Sequence, residues 1–272
     1  MPRLENKVAF ITGAGSGIAR SAARSFANEG AKVVIAELQE DLGQQVETSI
    51  TDQGQEAIFV QTDVTQEESV KSAIQETVKH FGKLDILYNS AGGSILEDAP
   101  ATTVDMSVWS HTMSLDLLGT FLCCRHGIPE VIKAGGGSVI NTASMVAILG
   151  GSFPRHIYMA AKGGIISLGR GLAGEYAKYH VRVNTICPGN IVTDRTRRVY
   201  GEPEAHRPIT RIREQYPYAF GPPECIADVA LFLASDESRI LTGTTIECDG
   251  GPRLSHKLEE AEREIIMAAN KA

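Results

Sequence analysis

Seven short apolar runs, rich in β-branched residues and separated by helical patterns, constrain this chain more than any other feature. They read KVAFIT (7–12), KVVIAE (32–37), EAIFVQT (56–62), KLDILYNS (83–90), GSVINTAS (137–144), VRVNTIC (181–187) and TTIECDG (244–250). Runs of this kind mark strands buried on both faces. Helical patterns fill the gaps at Ile18–Glu29, after the second strand through Gln53, at Glu67–Phe81, around Trp109–Lys133, at Tyr158–Tyr179 and at Glu224–Ser235. Such alternation specifies an α/β fold, a single parallel, doubly wound sheet of about seven strands with helices on both faces. No repeat, linker or low-complexity stretch divides it, so 1–252 reads as one domain and 253–272 as a C-terminal helical extension.

Composition narrows the function classes. Hydrophobic content of 43% suffices for a sizeable core, and the net charge of −7 gives no reason to expect nucleic acid or an anionic membrane as partner. The first residues, MPRLENKVAF, contain no signal-peptide core. No apolar run approaches the roughly 20 residues of a membrane span. The five cysteines, Cys123, Cys124, Cys187, Cys225 and Cys248, form no C-x-x-C pair. They read as reduced thiols of a cytoplasmic protein. Histidines such as His111, His126, His156 and His180 are scattered without ligand spacing, so no metal is expected.

After the first strand the chain reads TGAGSGIA, with Gly13, Ser16, Gly17 and Ile18 at a strand-to-helix turn. Glycines there let the backbone approach a pyrophosphate, and the helix N-terminus offers unpaired N–H groups. Glu37 closes the second strand some 20 residues later. An acid at that place accepts hydrogen bonds from the adenosine ribose and repels the 2′-phosphate of NADP. One like-charge pair at about 4 Å costs roughly 4 kcal/mol at an effective dielectric near 20. No basic residue in the turn or just after Glu37 offsets this, so NAD is the expected cofactor.

Further along stands HIYMAAKGG, with Tyr158 and Lys162 four residues apart. On a helix these two share a face, and a lysine ammonium beside a phenol favours the phenolate, as an acid/base for an alcohol or ketone requires. The same spacing also arises by chance in many chains, so the pair alone decides nothing.

Taken in order, these residues resemble the short-chain dehydrogenase/reductase family from about Lys7 to Gly251. TGAGSGI resembles the family's cofactor loop, and Asp63 and Val64 the pair beside the adenine, near Leu38. NSAG, with Asn89, Ala91 and Gly92, is similar to the loop after the fourth strand, Ser90 standing where the family has asparagine. PGNIVT, with Pro188, Ile191 and Thr193, resembles the segment that touches the nicotinamide amide, and CDGG resembles the close of the last strand. The resemblance implies an NAD-dependent enzyme that interconverts a secondary alcohol and a ketone. In it Tyr158 exchanges the proton, Lys162 lowers the tyrosine pKa and holds the nicotinamide ribose, and Ser144 orients the substrate oxygen. An intact Ser144, Tyr158 and Lys162 set argues against a non-catalytic NAD sensor.

Two departures stand out. Ala19 replaces the third glycine, an accepted variant. The family's fourth catalytic residue is an asparagine, and here that position is Asp116. The resemblance implies that this residue holds a proton-relay water and kinks its helix. Either the Asp116 oxygen takes over both and its charge partly cancels that of Lys162, or the side chain points away and only its backbone matters.

The substrate loop is expected at about 193–221. It is rich in arginine (Arg195, Arg197, Arg198, Arg207, Arg211, Arg213) and holds no lysine. With Arg155 one turn before Tyr158, Arg197 and Arg198 suggest a small anionic hydroxy substrate, a carboxylate or sulfonate. The alternative is a neutral cyclic alcohol, a diol or a sugar. The resemblance further implies a homotetramer, or a dimer, built through the helices containing Phe121 and Leu168 and through the last strand. Beyond it, Leu254, Leu258, Ala261, Ile265 and Ala269 form an apolar stripe at helical spacing, expected to dock across a subunit boundary.

Overall fold

The computed structural model describes residues 2–149, 155–200, 214 and 216–251, with the side chains of 199 and 200 excepted. Arg207, Arg211, Arg213 and the expected C-terminal helix lie outside the described residues.

Seven strands form one parallel sheet: β1 (Val8–Thr12), β2 (Lys32–Glu37), β3 (Ala57–Gln61), β4 (Ile86–Asn89), β5 (Gly137–Thr142), β6 (Val181–Pro188) and, last in sequence, β9 (Thr245–Cys248). Their order across the sheet is β3-β2-β1-β4-β5-β6-β9. A second, two-stranded parallel pair joins β7 (Asn190–Ile191) to β8 (Phe220–Gly221). These two short strands give no sequence signal, because pairing rather than propensity makes them.

Consecutive strand residues point to opposite faces, and here both faces are covered. Ile11, Val33, Ile35, Ile86, Tyr88, Ile140 and Ile186 pack in one cluster. It includes residues of α1 (Gly17–Asn28) and of α8 (Pro223–Ala234). Phe10, Val34, Leu87, Val139 and Val183 pack in another, with residues of α3 (Glu67–Phe81) and α5 (Gly119–Lys133). That double burial is why the strands read as continuous apolar runs.

Between β2 and β3 lies α2 (Glu40–Thr51), and α6 (His156–Tyr176) connects β5 to β6. The helix expected around Trp109–Lys133 is interrupted. It comprises α4 (Met106–Thr112), a π-helical turn over Met113–Leu118, and then α5. The segment after β6 contains α7 (Asp194–Tyr200).

The chain runs outward from β1 to β3 and then returns, placing β4 against the other edge of β1. The loops after β1 and β4 therefore diverge at the carboxyl ends of adjacent strands. Such a switch point is where doubly wound folds bind their ligands.

Candidate active site

The candidate residues from the sequence that fall among the described residues sit at strand ends, in loops and short elements at this edge of the sheet, or on α6 and the π turn that flank it. After β1, Gly13 has φ +68°, and a Cβ there would lie 2.9 Å from Ala91 Cα, so the two loops meet where only glycine fits. Thr12 Oγ1 fastens the same junction by accepting the N–H groups of Ser90 (3.0 Å) and Ala91 (3.1 Å). At the start of α1, Ser16 makes no side-chain cap bond and the first turn carries no acid. The N–H groups of Gly17 and Ile18 thus open a helix whose positive end is uncompensated, a fit for an anionic group.

Glu37 is buried at the end of β2. Its Oε2 accepts the Gly15 N–H (3.0 Å), and its Oε1 accepts those of Leu38 (2.9 Å) and Gln39 (3.1 Å). A carboxylate has about four acceptor sites, so three backbone donors fix its orientation and leave room for another. Leu38, next in the chain, is exposed, and Val64, after β3, is buried. Asp63 Oδ1 accepts from the Thr65 N–H (2.9 Å) and hydroxyl (2.7 Å), which sets the turn after β3. Arg20, the basic residue that follows the glycine turn, is engaged with Asp194 at 2.7 Å.

At the end of β4, the Asn89 side chain points into the core, where its Nδ2 donates to Asn141 Oδ1 (2.9 Å). Gly92 has φ +138°, and a Cβ there would run into Asp116 Oδ1. Across the edge, Pro188 ends β6, Ile191 lies in β7, and Thr193 packs its methyl near Gly17.

Tyr158 and Lys162 lie one turn apart on α6, with the ammonium 5.5 Å from the ring centre. Lys162 Nζ is buried and held from two sides, donating to Thr142 O (2.9 Å) and to Asp116 Oδ1 (2.8 Å). The π turn carries Asp116 inward to full burial, and the Gly93 N–H donates to the same Oδ1 (3.0 Å). Asp116 Oδ2 is buried with no partner among the described residues. Of the two readings of Asp116, the side chain that points away is therefore corrected: the carboxylate faces Lys162. Burial pulls the lysine pKa down, but the charges of Asp116 and Tyr158 outweigh it, and the value stands above that of an ordinary lysine. The ammonium is therefore held in its charged form near pH 7.

Ser144 is half-buried after β5, opening a short 3₁₀ turn, Met145–Ala147, with its Oγ near the Val146 N–H (3.4 Å). Arg155 is the residue before α6, and Arg197 and Arg198 lie exposed on the last turn of α7. The arginine that reaches the loop after β4 is Arg195, whose guanidinium donates to Ser94 O and lies against Gly93. Sequence reasoning did not single it out, nor Asp98, whose carboxylate accepts the N–H groups of Tyr158 (2.9 Å) and Ile157 (3.5 Å). The sequence held half a signal for Asp98, since Arg155 cannot accept a cap bond and α6 needs an acceptor from elsewhere.

Burial pushes the thiols of Cys124 and Cys187 up to about 12 and that of Cys248 up to about 11, so these cysteines stay neutral near pH 7. Among the described residues no group of three His, Cys, Asp or Glu could hold a metal ion, and no helix is long and apolar enough to cross a membrane.

A doubly wound sheet with a glycine turn, an acid closing β2 and a buried lysine beside a tyrosine defines a class of oxidoreductase. The chain belongs to the short-chain dehydrogenase/reductase family. A family model described as enoyl-(acyl carrier protein) reductase matches residues 13–252. The chain is 39% identical over 260 residues to the uncharacterized oxidoreductase YxbG of Bacillus subtilis (strain 168), covering 92% of each chain. It is 38% identical over 253 residues to 2,5-dichloro-2,5-cyclohexadiene-1,4-diol dehydrogenase LinX of Sphingobium indicum (strain DSM 16412 / CCM 7286 / MTCC 6364 / B90A), covering 92% of this chain and 97% of LinX. Among solved structures, carveol dehydrogenase from Mycobacterium avium in complex with NAD superposes with a TM-score of 0.87 at 29% identity, covering 94% of this chain and 100% of that one.

Proposed function

We propose that the protein is an NAD-dependent dehydrogenase that interconverts a secondary alcohol and a ketone. The observation that carries this reading is the ammonium of Lys162, fixed between Asp116 and Thr142 O one helical turn from Tyr158. NAD, when bound, accepts or returns the hydride. The glycine turn and the α1 N-terminus hold its pyrophosphate, Glu37 its adenosine ribose, and Lys162 its nicotinamide ribose. Tyr158 takes the proton from the alcohol oxygen during oxidation and returns it during reduction. Tyr158 is half-buried, one turn from Lys162 on α6. Ser144 donates a second hydrogen bond to that oxygen. Asp116 pins the ammonium and lowers the net positive charge that the phenolate meets.

The better-supported substrate is a neutral cyclic alcohol, because the named relatives include a cyclohexadienediol dehydrogenase and carveol dehydrogenase. NADH absorbance should be followed with cyclohexanol, carveol, cis-cyclohexane-1,2-diol, 3-hydroxybutyrate and crotonyl-CoA. Turnover of the cyclic alcohols is expected. Turnover of 3-hydroxybutyrate alone would restore the anionic reading and implicate Arg155, Arg197 and Arg198. NADH oxidation with crotonyl-CoA alone would indicate a reductase of carbon–carbon double bonds and overturn the proposal.

Cofactor choice gives a separate expectation. The Glu37 carboxylate is clamped by three N–H groups and cannot swing away from a 2′-phosphate. NAD should exceed NADP by at least about tenfold in kcat/KM, a difference of roughly 1.4 kcal/mol. Glu37→Gln should narrow that gap, whereas equal use of both cofactors by the unaltered protein would contradict the assignment.

Assembly follows the same reading. Met113, Ser114, Leu117 and Leu118 of the π turn, with Phe121 of α5 and Leu168 of α6, line an open apolar groove of about 440 Å³. Leu118 and Phe121 are each about two-fifths exposed. This supports a second copy packing on these helices, in a dimer or tetramer.

A further inference from the structure

We infer that Asp98 is a positioning residue, whose buried carboxylate holds the backbone of Ile157 and Tyr158 and thereby sets where the Tyr158 hydroxyl stands. The inference rests on the reading of Tyr158 as the acid/base.

The first turn of any helix leaves N–H groups that its own carbonyls cannot reach, and a Ser, Thr, Asp or Asn just before the helix ordinarily satisfies them. In α6 that place is held by Arg155, which makes no side-chain cap bond. Asp98 does the work from 60 residues earlier, at 2.9 Å from the Tyr158 nitrogen and 3.5 Å from that of Ile157. It is 5% exposed, so its carboxylate has given up water for these two donors. The positive end of α6 adds to the attraction.

A cap within the local sequence would stabilise the helix equally well and tie it to nothing. Asp98 instead closes the loop that leaves β4. Along that loop the Ser90 and Ala91 N–H groups bond Thr12, and the Gly93 N–H bonds the carboxylate that holds Lys162. One loop therefore fixes the backbone of Tyr158 at its far end and the ion partner of Lys162 at its near end. The spacing between the two side chains, and their height above the cofactor cleft, are set against the same anchor. Displacing a reacting group by about 1 Å costs up to roughly a hundredfold in rate.

The test compares Asp98→Ala and Asp98→Asn with the unaltered protein, using the fastest cyclic alcohol of the panel above and its carbinol-deuterated form. Asp98→Ala is expected to lower kcat by about ten- to a hundredfold and to raise the deuterium isotope effect on kcat. NADH affinity, read by fluorescence titration, should stay unchanged. Amide hydrogen exchange should quicken at Ile157 and Tyr158, a readout that needs no turnover. Asp98→Asn offers one acceptor and one donor to two donors, and should fall between. A lowered melting temperature with unchanged kcat and isotope effect would show that Asp98 only stabilises the helix. Unchanged rate, isotope effect and exchange in Asp98→Asn overturn the inference even where Asp98→Ala fails to fold. Tyr158→Phe separates the two levels. If that variant keeps its activity, the acid/base assignment fails. If it is inactive while Asp98→Ala is not slowed, only the positioning role fails.

Discussion

Tyr158→Phe is expected to lower kcat by about a hundred- to ten-thousandfold, the range for loss of a general acid/base. NAD affinity should change little. The rest of the site does not lean on the phenol oxygen. Lys162 is held by Thr142 O and Asp116, and the Tyr158 backbone by Asp98, whichever ring stands at 158. The phenylalanine ring fills the same half-buried place. Initial rates at saturating alcohol, with NADH binding by fluorescence, check both halves. Retention of more than about a hundredth of the activity would remove Tyr158 from the role.

Lys162→Met should harm stability and activity together, and the stability loss should be the more telling. Removing the ammonium leaves the Asp116 carboxylate fully buried, with the Gly93 N–H as its one remaining donor among the described residues. Breaking a buried pair from one side costs about 3–5 kcal/mol, read as a fall in the denaturant midpoint. Activity should drop by about a hundredfold or more, because the cation that favours the phenolate is gone. Adding Asp116→Asn to Lys162→Met should recover most of the stability and none of the activity. By itself, Asp116→Asn leaves Lys162 with an uncancelled charge. The acid limb of the kcat/KM profile for oxidation should then move to lower pH, because a net cation favours the phenolate. A profile that does not move would mean that the Asp116 charge has no bearing on the proton transfer. The groups around the ammonium are Asp116 on the π turn, Tyr158 on α6, Cys187 on β6 and Tyr88 on β4, and only Asp116 changes in that experiment.

Much of this site was legible before any coordinates. The glycine turn, Glu37, Ser144, Tyr158 and Lys162 each sit where a strand ends or on one face of a helix, and both places follow from local periodicity. The strand β2 (Lys32–Glu37) and the helix α3 (Glu67–Phe81) match their sequence expectations to the residue. Apolar runs and capping signals are short-range, so they survive without knowledge of neighbours. The π turn over Met113–Leu118 was legible only through the kink that the family resemblance implies at Asp116, because the residues themselves read as uninterrupted helix and the widening depends on what packs against it.

The chain order of apolar runs and glycines determined that this protein is a parallel, doubly wound sheet and placed the candidate site at the strand ends, since burial on two faces and the alternation of strand with helix leave few other solutions. Which side chains meet was decided only in three dimensions. Asp116 could have faced solvent or Lys162, and the π turn brings it to 2.8 Å from the ammonium. Nothing near Arg155 in sequence announces that Asp98 caps α6. In the segment after β6 the sequence favoured Arg197 and Arg198, and Arg195 is the one seen to reach Ser94 O. Contacts between residues far apart along the chain depend on how loops close over a finished sheet, and no pattern of local spacing encodes that closure.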